Sequence, residues 1–107
     1  MARKERVTKV IDGDTFMTAS RKNPVRLADA DAPEKGQPGA ATATEALRTL
    51  IQGEEASIKT VARDRYGRSV ARVRLGRKSV NKAMKEKLKY LGRQRVSIRR
   101  HSGLYGP

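Results

Sequence analysis

Two short acidic stretches stand out in a strongly basic chain. "IDGD" carries Asp12 and Asp14, and "DADAPE" carries Asp29, Asp31 and Glu34. The chain has 11 Asp and Glu against 25 Lys and Arg, and these five acids lie close together, between residues 12 and 34. Carboxylates in turns ordinarily satisfy nearby backbone N–H groups, a role that suits Asp12 and Asp29. Two clusters on adjacent hairpin ends can do more. Neighbouring strands lie about 5 Å apart, so Asp14 at a strand start and Asp31 at a strand end can share one cation. Their oxygens suit a hard ion such as Ca²⁺ or Mg²⁺, and without His or Cys nearby zinc is disfavoured. Two arginines border the same ends: Arg26 on the strand leading to Asp31, and Arg68 straight after "DRYG". A carboxylate-held metal flanked by two guanidiniums and a further carboxylate is a workable phosphodiesterase. The positive groups offset charge on phosphoryl oxygens, and the free carboxylate orients or deprotonates water.

Positioning these groups falls to short strands. "RVTKVI" is β-branched and reads as a strand, "DGD" as a tight turn, and "TFMTAS" as the returning strand. "RKNP" turns the chain into "VRLADA", a third strand. Strict alternation puts Arg26 and Asp31 on opposite faces, so a bulge or turn must intervene before Asp31 if both reach one site. "PEKGQPG" is a loop. Ala43, Ala46, Leu47, Leu50 and Ile51 then follow a helical stripe, with Gly53 placed to end the helix in the left-handed conformation. "ASIKTVA" and "RSVARVRL" read as fourth and fifth strands joined by "RDRYG". In the fifth, Ala71, Val73 and Leu75 share one face and Arg68, Arg72 and Arg74 the other. Ser79 caps a second helix with Val80, Ala83, Met84, Leu88 and Leu91 on one stripe and Gly92 at its end. The tail after it reads equally as strand or helix, and its His101 is taken as a surface residue. Three strands, a helix, two strands and a helix fit an α+β, mainly β fold: a five-stranded OB-type barrel with two to three packed helices, spanning residues 1–107 as a single domain. The alternative is an open α+β sandwich.

The charge is lopsided. Residues 1–62 balance to +1, whereas residues 63–100 hold 15 Lys and Arg against Asp64 and Glu86, a balance of +13. That asymmetry points to a polyanion partner. Nucleic acid fits better than a membrane, because no basic helix carries bulky aromatic anchors on its other face. The chain has no cysteine, which excludes disulfides, thiolate metal sites and Cys nucleophiles. The basic N-terminus has no apolar run behind it, so neither a signal peptide nor a membrane span is expected, and a soluble intracellular protein is.

At the same residues the sequence resembles the staphylococcal nuclease (thermonuclease) family. The matching stretches are "VIDGDTF" (10–16), "VRLADADAPE" (25–34) and "DRYGRSVARV" (64–73), in that order, with "KSVNKAM" (78–84) similar to a strand-to-helix junction. The resemblance covers about residues 5–91. It implies the same barrel and metal-dependent hydrolysis of DNA or RNA, with Ca²⁺ as the ion and Mg²⁺ or Mn²⁺ as alternatives. It implies that Asp14 and Asp31 bind the metal together with the backbone carbonyl of Ala32. Arg26 and Arg68 are implied to hold phosphate, and Glu34 to position or activate water that attacks in line with the 5′-oxygen leaving. Two departures stand out. Ala32 replaces a common threonine, and the segment after residue 91, where the family carries aromatics that contact the nucleotide, is shorter than usual, which leaves the base-stacking part of the site without a clear counterpart. Tyr66 is the remaining candidate for stacking, with Arg65, Arg72 and Arg74 for phosphate contacts.

Two further readings compete. A non-catalytic nucleic-acid-binding module on the same barrel would not require Glu34. A basic structural protein of a nucleoprotein particle would explain the charge but not the acids. The sequence does not fix the oligomeric state, with a monomer as the default expectation.

Overall fold

The computed structural model describes residues 3–91. In chain order it has strands β1 (Arg3–Asp12), β2 (Thr15–Thr18) and β3 (Val25–Leu27), and helix α1 (Ala40–Ile51). Strands β4 (Glu55–Arg63), β5 (Ser69–Leu75) and β6 (Lys78–Ser79) follow. A second helix, α2, runs over residues 80–91. The expected helix end at Gly92, the tail and His101 lie outside the described residues.

The strands form an α+β fold around one sheet in the order β3-β2-β1-β4-β5-β6, antiparallel throughout except that β3 also pairs with β5 in parallel. That extra pairing joins the two sides of the sheet into a ring of β1, β2, β3, β5 and β4, the barrel-like closure of an OB-type fold. Closure needs curvature, and register irregularities supply it. They lie in β1 between Val7 and Lys9 and between Val10 and Asp12, and in β4 between Thr60 and Ala62. The first explains the spacing of buried residues along β1. Glu5 and Val7 alternate normally, but the next inward residue is Val10, not Lys9. The Val10 N–H bonds the Gln52 side-chain oxygen at 3.1 Å just beyond α1.

The core holds Val7, Val10, Phe16, Val25, Leu27, Ile58, Ala71 and Val73 from the strands, Leu47 and Ile51 from α1, and Val80 and Met84 from α2. Helix α1 starts after Gly39 (φ 86°) without a side-chain cap, and the chain leaves it through Gly53 at φ 84°. The Ser79 hydroxyl accepts from the Lys82 N–H at 3.2 Å and so caps α2. Residues Lys78 and Ser79 also form the two-residue strand β6, a sixth strand too short to leave a sequence pattern. Strand β3 is shorter than "VRLADA" suggests, because Asp29 sits in the left-handed region at φ 61° and ends the pleat.

Candidate functional site

The β1–β2 turn is Gly13-Asp14, with Asp12 and Thr15 paired across it. Gly13 is not in the left-handed region. It is glycine for want of space: a Cβ there would stand 2.7 Å from the Ala43 Cβ of α1 and 2.8 Å from the Ala32 Cβ. Absence of a side chain lets the turn press against both, which carries Asp14 to the backbone of the 28–33 loop. Asp14 is buried at 6% exposure, and its three contacts lock it. Oδ1 accepts from the Thr15 hydroxyl at 2.8 Å, Oδ2 accepts from the Ala32 N–H at 2.9 Å, and the Asp12 carboxylate accepts the Asp14 N–H at 3.0 Å. Burial pushes the Asp14 carboxyl up from its ordinary range, and Asp12 adds to the shift against the opposing pull of the Ala32 N–H and Thr15 hydroxyl.

Arg26 joins the two acidic clusters. Its Nη2 lies 2.8 Å from Asp31 Oδ1 and 3.5 Å from Asp14 Oδ2. The turn at Asp29 is the break in alternation that brings residues 26 and 31 to one side. Asp31 itself is almost fully exposed, its side chain at 94%. The pair thus has one carboxylate fixed in the protein and one facing solvent, with the Arg26 guanidinium between them. The donors are oxygens only, which fits a hard cation. Among the described residues no three His, Cys, Asp or Glu side chains converge as a metal cluster. A concavity of about 330 Å³ opens next to Asp31 and Ala32, walled by Pro33, Gln37, Pro38, Gly39, Leu88 and Leu91.

The other expected residues are placed less tightly. Glu34 is exposed in a turn closed by its own backbone, its N–H bonding Gln37 Oε1 at 2.7 Å and its carbonyl accepting from the Gln37 N–H at 2.9 Å. Among the described residues no hydrogen bond or ion pair joins it to Asp14, Arg26 or Asp31. Arg68 is held by Asp64: Nε to Oδ2 at 2.6 Å and backbone N–H to Oδ1 at 2.9 Å. Burial works to raise the Asp64 carboxyl, but the bonds from Arg68 and the Tyr66 N–H outweigh it and leave the pKa lowered. Arg26 pairs with Val70 across β3–β5, so Arg68 is two residues along on the same outward face, about 8 Å away by strand geometry. Tyr66 is 70% exposed and so is not a packed turn residue. The Arg65 and Arg68 guanidiniums lie 5.3 and 5.5 Å from its ring centre. Arg72 and Arg74 are exposed on the outer face of β5, with Arg72 3.6 Å from Asp29.

Three structural features were not legible in the sequence. Glu5 is buried at the end of the barrel and accepts a forked contact from Arg21, Nε at 2.8 Å and Nη2 at 2.7 Å, plus bonds from Thr18 and Ser20. Arg21 extends to Thr60 and Ser69. The alternation of Glu5 with Val7 is a signal that Glu5 points inward. Asn81, buried on α2, donates to the Ala28 and Ala71 carbonyls and accepts from the Val73 N–H. It fastens the start of α2 to the middle of β5 and to the residue that follows β3. Gly13 is the third, where "DGD" suggested a turn rather than a close approach. No helix among the described residues is long and apolar enough to cross a membrane.

Comparison with known proteins adds to this geometry. The family described as "Staphylococcal nuclease homologue" matches residues 24–87, more than half of the chain. A protein of Escherichia coli O157:H7 named "Uncharacterized endonuclease" is 37% identical over 70 residues, covering 64% of this chain and 46% of its own. One of the same name from Haemophilus influenzae is 34% identical over 82 residues, covering 74% and 46%. The "Micrococcal nuclease" of Shigella flexneri is 38% identical over 66 residues, covering 60% and 38%. The chain thus matches less than half of each relative's length.

Proposed function

The chain belongs to the staphylococcal nuclease homologue family, and we propose that it is a metal-dependent phosphodiesterase that hydrolyses DNA or RNA with little sequence preference. The observation that carries the reading is the convergence of Asp14, from the β1–β2 turn, and Asp31, from the β3–α1 loop, on one Arg26 nitrogen. The names of the relatives, endonuclease and nuclease, support the substrate class. The ion would be held by Asp14, Asp31 and the Ala32 carbonyl, with Ca²⁺ the best match and Mg²⁺ or Mn²⁺ as alternatives. When bound, it offsets charge on the phosphoryl oxygens.

The protein's own groups do the rest. Arg26 and Arg68 lie on one face and bind the scissile phosphate, exchanging their carboxylate partners for phosphate oxygens. Glu34, on a solvent-facing turn, takes a proton from water as its oxygen attacks phosphorus. The new P–O bond forms opposite the breaking P–O5′ bond, and the departing 5′-oxygen gains a proton from solvent. Tyr66 offers an exposed ring for a base, and Arg65, Arg72 and Arg74 contact flanking phosphates.

Digestion of plasmid and RNA with Ca²⁺, Mg²⁺ or Mn²⁺, each with a chelator control, tests the activity. Rupture of P–O5′ leaves 5′-hydroxyl and 3′-phosphate ends, so products should accept a kinase label without prior phosphatase treatment. The binding-module reading draws support from Glu34, whose backbone bonds Gln37 and which makes no hydrogen bond or ion pair to Asp14, Arg26 or Asp31 among the described residues, and it requires that no product appears with any metal.

A further inference from the structure

The outer face of β4 and β5 gathers cations in register. Lys59 stands directly opposite Arg72, and Ser57 opposite Arg74. The second row continues on both sides, to Lys4 on β1 and Ser79 on β6. Inward neighbours Ala56, Ile58, Ala71 and Val73 are buried, which fixes these side chains on the outside. Between them lies a concavity of about 260 Å³, with Ser57, Lys59, Arg72, Arg74 and Ser79 around it and Val73 and Asn81 also in its lining.

Like charges directly opposite one another destabilise a sheet. Solubility would be served as well by charges set apart, so solvation alone does not explain a Lys–Arg pair side by side with Arg74 on the same strand. Two acids reach the edge of the face. Asp29 lies 3.6 Å from Arg72, and Glu55 pairs with Arg6 at 3.5 Å. Lys59 has neither. Three cations and two hydroxyls around a hollow suit phosphate oxygens, which accept hydrogen bonds from both. The face meets Asp29 at Arg72, and Asp29 is two residues before Asp31 in the same loop. From β5 to β1 it crosses two strand spacings, about 10 Å.

Resting on the nuclease reading for its substrate class, we propose that this face is a second phosphate-binding surface, which holds the single strand flanking the scissile bond and makes longer substrates bind better. Lys59, Arg72 and Arg74 grip backbone phosphates, and Ser57 adds a hydroxyl donor. The grip reads no bases, so it adds affinity without sequence preference.

The test is anisotropy of a labelled single-stranded 12-mer and a labelled trimer, in chelator to prevent cleavage, with wild type, Lys59→Gln and Lys59→Glu. The ratio of 12-mer to trimer affinity should fall about tenfold in Lys59→Glu and less in Lys59→Gln. The log–log salt slope for the 12-mer should flatten by about 0.7, one single-strand phosphate. Circular dichroism of each variant guards against unfolding. Unchanged 12-mer binding, or equal loss for both lengths, overturns the proposal. Binding to anionic vesicles that drops in Lys59→Glu while 12-mer binding holds also overturns it, in favour of a membrane surface. If the wild type cleaves nothing with Ca²⁺, Mg²⁺ or Mn²⁺ while Lys59→Glu still loses 12-mer affinity selectively, the nuclease reading falls and the surface stands.

Discussion

Replacing Glu5 by Gln removes a buried charge and keeps the side chain's size. In the native protein the Arg21 guanidinium beside Glu5 holds its carboxyl at about 2, against 4.5 for an ordinary glutamate. Burial opposes that shift and the Thr18 and Ser20 hydroxyls reinforce it. The Glu5 side chain is 2% exposed, so solvent screens the pair little. A lowering of this size corresponds to about 3 kcal/mol at 1.36 kcal/mol per pH unit. Loss of the partner also leaves Arg21 uncompensated, which again gives about 3 kcal/mol, the lower end for a broken buried pair, because Arg21 keeps some contact with water. Urea unfolding of wild type and Glu5→Gln at pH 7 should therefore differ by about 3 kcal/mol. The folded pKa is depressed, so this stability is present in full above the unfolded pKa of 4.5 and is lost as pH falls towards 2. The gap between the two proteins should stay flat above pH 5, narrow below about 4.5 and close near 2. A gap under about 1 kcal/mol at pH 7, or one that ignores pH, would refute the charge-pair account.

Gly13→Ala should cost about 1–3 kcal/mol, because the new methyl meets Ala43 and Ala32 and neither has a flexible end to move aside. Thermal unfolding checks it, and activity should fall in parallel as Asp14 is shifted. Asn81→Ala removes the side-chain partner of the Val73 N–H and the Ala28 carbonyl in a buried setting, while the Ala71 carbonyl keeps the Ala28 N–H, and should cost about 2–3 kcal/mol by urea unfolding. Glu34→Gln keeps the size but is a far poorer base. It should lower turnover by roughly 10²–10⁴-fold with nucleic-acid affinity unchanged or slightly higher, measured by product release and by anisotropy.

The elements were readable where local patterns decide them. The stripe from Ala43 to Ile51, the alternation of Ala71 and Val73, and the capping serine at Ser79 depend on near neighbours in sequence. The requirement for a break before Asp31 followed from strand geometry alone, and the turn at Asp29 supplies it. What could not be read depends on distant partners. Closure of the sheet rests on three residues of β3 meeting β5 more than forty positions later. The irregularity after Val7 is anchored by Gln52, and the need for glycine at position 13 comes from α1. The role of Glu5 depends on an arginine in the next hairpin. Asp14, Asp31 and Arg26 stood out because their types and order could carry chemistry, and the fold brings them together. Glu34 illustrates the limit: its place in sequence is suggestive, but the turn to Gln37 directs its backbone, and its carboxylate faces solvent.

The most direct test of the account is the cleavage rate of one end-labelled single-stranded oligonucleotide under three conditions: wild type with Ca²⁺, wild type with Ca²⁺ and excess EDTA, and Asp14→Asn with Ca²⁺. Asn at position 14 preserves shape and hydrogen-bonding reach but removes the buried charge. The account predicts cleavage in the first case and none above background in the other two. Equal cleavage with EDTA or with Asp14→Asn would contradict it, and so would no cleavage by the wild type with Ca²⁺, Mg²⁺ or Mn²⁺.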